Sequence, residues 1–234
     1  MHTSQVSRCA PDSAEQLIEA FLEKGYHAVI VTDHFAGERD DLKALTWEEK
    51  MHYQARGYEA ALKAAEGTGL RVFFGWEMSE ERAEDYLTYG LGMDFLLAHP
   101  DLEKMPLEEY CRVCHEAGAF ITRAHPYRHA QYIPPNPTIN GDVIDAVEVV
   151  NSKWLDPDNE NHLAFEWARK HPEKIRTSGT DIHQASVAGD AGIALTHPVN
   201  SLEEIIEALR NREHFLIIDG RICDQEGRIV EENA

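Results

Sequence analysis

Short runs of β-branched and aromatic residues alternate with capped amphipathic segments along almost the whole chain, and that alternation leaves few folds open. The runs AVIVT (28–32), RVFFG (71–75), YLTYGL (86–91), DFLLA (94–98), AFITR (119–123), DAVEVV (145–150), IRTSG (175–179), GIALT (192–196) and FLIID (215–219) predict strands. Between them, residues 12–25 predict a helix with Asp12 and Glu15 as its capping box and Gly25 as its stop. Residues 46–67 predict another, with Thr46 and Glu49 as the box and Gly67 at the end. Further helices are expected over 106–117, 158–170 and Ser201 to Arg212, the last with a Ser201/Glu204 box. Pro134-Pro135-Asn136-Pro137 reads as a stiff loop. With no repeat or flexible linker, residues 1–234 are read as one domain, a parallel α/β fold of roughly seven units with barrel-like closure.

In parallel barrels the chemistry lies just beyond the carboxyl ends of the strands. Those positions hold Asp33 and His34, then Glu77, Asp85, His99, His125 with Arg128 close behind, Asn151, and Asp181 with His183; His2 lies in the first loop. Carboxylates crowded in this way repel one another unless cations stand between them. Imidazole mixed with carboxylate suits Zn²⁺, Mn²⁺ or Fe²⁺ better than Ca²⁺ or Mg²⁺, and ligands from so many strands suit two or three ions better than one. The thirteen histidines and the net charge of −20 agree with such a cluster, and the acidic surplus argues against binding a long nucleic acid.

No stretch of eighteen apolar residues predicts a membrane span, and the first residues contain no apolar secretion core. Cys9, Cys111, Cys114 and Cys223 then read as reduced thiols of a cytoplasmic protein. Cys111-Arg-Val-Cys114-His115 matches a haem-attachment string, but Leu107, Tyr110, Cys111, Cys114 and Ala117 recur at helical spacing, which predicts a buried helix face instead.

The stretches His2-Thr3-Ser4, Thr32-Asp33-His34, Gly75-Trp76-Glu77, Ala124-His125-Pro126 and Gly179-Thr180-Asp181-Ile182-His183 together resemble the PHP (polymerase and histidinol phosphatase) family, in its order and spacing. The resemblance implies a distorted seven-stranded, TIM-like (β/α)7 barrel that binds up to three metals and hydrolyses phosphoesters. His2 matches the second histidine of the family's opening motif, with Met1 at the middle position, so the first histidine and first strand of that pattern are missing here. Asp181 and Glu77 would complete the first metal, Glu77 bridging to a second that His125 also holds, while His34 and His183 match ligands of a third. A further ligand is expected from Asp85, with His99 as its rival. Where many members carry Asp or His after the opening motif, this chain has Ser7, Arg8 and Cys9, so Cys9 could serve as a thiolate ligand or Arg8 as a phosphate contact.

The reaction implied is metal-assisted phosphoester hydrolysis by an activated water, with Glu77, Asp181 and His183 at the reacting centre. Arg128, ahead of Arg8 and Arg123, is expected to receive phosphate through its bidentate fork, and Asn151 to position substrate. The leaving oxygen could take its proton from His183 or His99. A small phosphomonoester, a nucleotide or a short oligonucleotide is the expected substrate. An amidohydrolase-type C–N hydrolase is the first alternative, and the Asp181-x-His183 pair and the missing lysine ligand count against it. A non-catalytic metal-binding relic is the second.

Overall fold

A computed structural model describes residues 1–79, 84–129, 133, 137, 139–151 and 160–230, apart from the side chain of Glu38. Pro134, Pro135 and Asn136 of the expected loop, and residues 158–159 of an expected helix, lie outside the described residues. The order of elements is α1 (Ala14–Glu23), β1 (Ala28–Val31), α2 (Trp47–Ala64), β2 (Arg71–Ser79), β3 (Asp85–Tyr89), α3 (Met93–Ala98), α4 (Leu107–Glu116), β4 (Phe120–Arg123), β5 (Ala146–Asn151), α5 (Asn161–Lys170), β6 (Ile175–Gly179), β7 (Ala191–Leu195), α6 (Leu202–Arg210), β8 (His214–Ile218) and β9 (Arg221–Cys223). The fold is mixed α/β: one six-stranded sheet runs β1-β2-β3-β4-β5-β6, and β7-β8-β9 form a second sheet. By contacts the chain divides into two compact units, Met1–Glu80 with Leu87–Phe120 and Ile182–Ala188, and Glu81–Tyr86 with Ile121–Asp181 and Gly189–Ala234. Among the described residues no helix is long and apolar enough to cross a membrane.

In the first unit β1 and β2 pair in parallel, Ala28 beside Arg71 through Val31 beside Phe74. Leu17, Ile18 and Phe21 of α1 bury their side chains with Val29, Val31, Val72, Ala61 and Ile182. Each of these Leu, Ile, Val and Phe side chains stabilises the unit by roughly 1.5–3 kcal/mol through the area it removes from water. Helix α1 starts one residue later than its expected box, on Ser13 with Gln16, because Asp12 is engaged elsewhere: its carboxylate accepts from the Ala185 N–H at 2.8 Å. The Thr46/Glu49 box of α2 forms as expected. DFLLA, expected as a strand, is the body of helix α3. Four consecutive apolar residues carry no period of their own, and the helical turn buries Leu96 while leaving Leu97 exposed. Cys111, Cys114 and Tyr110 lie on the buried face of α4, where burial drives the Cys114 thiol up to about 12.

In the second unit β4, β5 and β6 are parallel, with Val147, Val149, Ala164, Ala168 and Leu216 in the core. The register of β5 on β6 slips between Glu148 and Val150, so one extra residue is accommodated there. GIALT and FLIID form antiparallel strands, a departure from the parallel pattern expected of them. The two-residue Asp219-Gly220 turn, with φ of 49° and 72°, then folds β9 back along β8, so β8 is held in a hairpin and has antiparallel partners on both sides.

Candidate metal centre

The first unit assembles its polar residues around the opening segment. Met1 lies alongside the end of β1, its carbonyl accepting the Thr32 N–H at 3.0 Å, and the His2 N–H donates to the Ile182 carbonyl at 2.9 Å. Residues far apart in the sequence are thereby fixed beside the Asp33-His34 turn. The ring nitrogens of His2, His34 and His183 converge, with one ligand atom from each lying within 4.8 Å of the others. Glu77 Oε2 stands 3.4 Å from His2 Nε2 and 2.9 Å from His34 Nδ1.

Hydrogen bonding decides how the His2 ring is presented. The buried Asp33 carboxylate accepts from the Thr3 N–H at 2.6 Å, the Thr3 hydroxyl at 2.7 Å and the Ser7 hydroxyl at 2.7 Å. Burial pushes the Asp33 carboxyl up, and the donors from Thr3 and Ser7 pull against it. With its proton directed at Asp33, the Ser7 oxygen is left to accept, and His2 Nδ1 lies 3.3 Å from it. Nδ1 therefore carries the ring proton and Nε2 offers its lone pair, the arrangement a metal-binding histidine needs. Space for this network comes from α2: a Cβ at Gly57 would lie 2.1 Å from Asp33 Oδ2 and 2.4 Å from Thr3 Oγ1. A mid-helix glycine costs about 1 kcal/mol relative to alanine, and here close approach explains it.

Cys9 is exposed as a residue, yet its Sγ lies 3.1 Å from His183 Nε2. Burial of the sulfur pushes the thiol up, but hydrogen bonds and charge from His183 and His34 outweigh it and bring Cys9 down to about 6. Burial likewise works against a charged His34, and the Glu77 carboxylate with Cys9 more than offsets it, so His34 is raised well above its ordinary value.

The second unit brings donors of its own together. His125 Nε2 lies 3.7 Å from Asp85 Oδ2 and 3.9 Å from Asp181 Oδ2, side chains that are 3% and 8% exposed. These separations are too long for hydrogen bonds. They are compatible with donors that share a cation, each about 2.0–2.2 Å from it. His125 and Asp181 both adopt left-handed backbone, φ of 24° and 44°, a conformation that costs energy for non-glycine residues and concentrates at functional sites. Arg128, expected to meet phosphate, donates to Asp85 Oδ2 at 2.6 Å.

Sequence reasoning missed Glu148, whose Oε2 accepts the His125 N–H at 2.9 Å and the Asn151 Nδ2 at 2.8 Å. In a regular strand residues three apart point to opposite faces; the slip in β5 lets Glu148 and Asn151 meet. A Cβ at Gly179 would lie 1.9 Å from Glu148 Oε1, so the glycine is what admits this carboxylate. Burial, aided by the charge of Asp181, raises Glu148 to about 7 against the opposing pull of His125 and Asn151. The available signal was a lone glutamate inside an otherwise apolar strand.

The remaining expected residues lie elsewhere. His99 caps α3, its Nδ1 2.7 Å from the Phe95 carbonyl and its ring stacked on Phe95 at 4.1 Å; among the described residues it joins neither donor set. Arg8 is largely exposed, 3.8 Å from Asp41. Arg123 donates to the backbone carbonyls of Asp85 and Ala124.

No family model and no curated protein sequence matches the chain. Several solved structures share its fold. A two-domain protein from Bacteroides vulgatus, containing a predicted PHP-like metal-dependent phosphoesterase, superposes with a TM-score of 0.70 at 19% identity, covering 95% of this chain and 64% of that one. Endonuclease Q from Pyrococcus furiosus, a lesion-specific endonuclease, gives 0.55 at 14% identity over 90% of this chain and 54% of its own. An endonuclease Q complex with a 27-mer duplex bearing an abasic lesion gives 0.58 at 14%, over 90% and 55%. The chain thus spans between about half and two thirds of the length of these structures.

Proposed function

We propose that this chain is a metal-dependent phosphoesterase that hydrolyses a small phosphomonoester, a nucleotide or a short oligonucleotide. The observation carrying the reading is the convergence of the His2, His34 and His183 ring nitrogens, within a fold shared with metal-dependent phosphoesterases. The donor chemistry fits two or three divalent ions such as zinc, manganese or iron, held by His2, His34, Glu77 and His183 in one unit and by Asp85, His125 and Asp181 in the other. Bound there, such ions would supply Lewis acidity toward phosphate oxygens and an activated water.

The chain's own residues prepare this chemistry. Ser7 and Asp33 hold His2 in the tautomer with a free Nε2 lone pair. Glu148 and Asn151 fix the backbone at His125. Arg128, paired with Asp85 of the second donor set, is the residue we assign to phosphate. Glu77, Asp181 and His183 are assigned to the reacting centre, and Arg8 and Asn151 are lesser candidates for substrate contact. A single domain closing toward a distorted (β/α)7 barrel is the architecture this reading adopts, and the cytoplasm the compartment.

The net charge of −20 favours small substrates over long nucleic acid. The endonuclease Q complex gives duplex DNA a place in the test. Protein loaded with Zn²⁺, Mn²⁺ or Fe²⁺ is offered p-nitrophenyl phosphate, nucleotides, a short single strand, a lesion-bearing duplex and a panel of amides. Hydrolysis of the small esters, lost in Asp181→Asn and on chelation, is expected. Cleavage of the duplex alone would overturn the substrate, cleavage of amides alone would favour an amidohydrolase, and metal binding without hydrolysis would leave a relic.

A further inference from the structure

We infer that Cys9 is a metal ligand, completing with His34 and His183 a thiolate–imidazole site for a soft divalent cation. This inference rests on the metal-dependent reading above and narrows it. The carrying observation is the geometry: Cys9 Sγ lies 3.1 Å from Nε2 of His183, whose ring nitrogens converge with those of His34 and His2. A thiol in this position is not a filler of the core. Cys111, Cys114 and Cys223 are buried, while Cys9 is exposed and turns its sulfur toward the imidazole of His183.

The orientation of the partners supports ligation. His34 Nδ1 is taken up by Glu77 at 2.9 Å, so its other nitrogen is the one left for a cation. His183 presents Nε2 toward the sulfur. On ligation the S–H bond breaks, its proton leaves to solvent, and the sulfur lone pair forms the bond to the cation; no oxidant or reductant is required. A donor set of sulfur and imidazole selects Zn²⁺, Co²⁺ or Fe²⁺ over Mg²⁺ and Mn²⁺. The oxygen-rich set of Asp85, Asp181 and His125 has no such preference, so the two sets would fill with different metals from a mixed supply.

Cobalt titration tests this. The metal-free full chain is titrated with Co²⁺ and followed in the near ultraviolet, where sulfur-to-cobalt charge transfer absorbs, and in the visible, where ligand-field bands report any bound cobalt. Wild type is expected to show both, and Cys9→Ser to lose the charge-transfer band while keeping ligand-field bands and its circular dichroism. Cys9→Asp, a harder ligand, should retain cobalt without charge transfer and shift competition in favour of Mn²⁺. Cobalt bound to wild type without charge transfer, or a band that survives Cys9→Ser, would overturn the inference and leave the phosphoesterase reading standing. Failure of the wild-type chain to bind cobalt at all would overturn both.

Discussion

The backbone N–H of His125 donates to Glu148 Oε2 at 2.9 Å, which ties a left-handed turn to the interior of strand β5. Glu148 is buried and titrates near 7, whereas in the unfolded chain it would lose its proton near 4.5. Between those values the folded chain binds more protons than the unfolded one, so stability falls as pH rises. Metal-free protein should lose up to about 3 kcal/mol across this window, a loss complete above pH 7 and absent below 4.5. Urea melts at several pH values should show this slope, and Glu148→Gln should flatten it; an unchanged slope in the variant would assign the titration to another group.

Gly179→Ala puts a methyl group where Glu148 Oε1 now lies, 1.9 Å away. The carboxylate must withdraw from His125, and overpacking of this kind costs about 1–3 kcal/mol. Thermal melts should show that loss, and Mn²⁺ binding followed by electron paramagnetic resonance should weaken with it. A variant as stable as wild type and undiminished in Mn²⁺ affinity would contradict the role given to Glu148.

Ser7→Ala removes the oxygen that holds the His2 ring proton and one donor to Asp33. Outer hydrogen bonds of this type are worth about 10–100-fold in metal affinity. Competition against a chromophoric chelator should show a drop in Zn²⁺ affinity of that order, with a stability loss of only about 1 kcal/mol. Ser7→Thr, which keeps the hydroxyl, should recover most of the affinity.

Arg128 is the counter-charge of Asp85 at 2.6 Å, and a bound cation would take over much of that duty. Arg128→Ala should therefore destabilise metal-free protein by roughly 3–5 kcal/mol, the usual cost of stranding one member of a buried pair. The metal-loaded form should lose less, while its KM for a phosphomonoester rises. Equal losses in both forms would mean that no cation reaches Asp85.

The elements were legible where a local rule acted alone. Thr46 and Glu49 started α2 where expected, and the apolar runs at β1, β2, β4, β5 and β6 became strands. Local rules misled where a distant partner intervened: Asp12 left its box for the Ala185 amide, and α1 began on Ser13. The Asp219-Gly220 pair was a readable hairpin signal, and giving it weight would have separated β8 and β9 from the parallel series. At the site, histidines and carboxylates at strand ends could be read from position. Glu148 could not, because its importance depends on a slip in register that only the paired strand reveals. Asp85 and His99 were separable only once α3 proved helical and carried His99 to its end.

His2 and His183 stand 181 positions apart in sequence, and their rings approach to 4.4 Å between centroids. An ion bound by both would act on the unfolded chain as a cross-link closing a loop of nearly that length, a constraint that for a covalent bridge is worth about 5 kcal/mol. Chelation would then do more than stop a reaction. It would release Met1 and His2 from β1 and from Ile182, and the earliest sign of metal loss would be proteolytic cleavage close to these two residues.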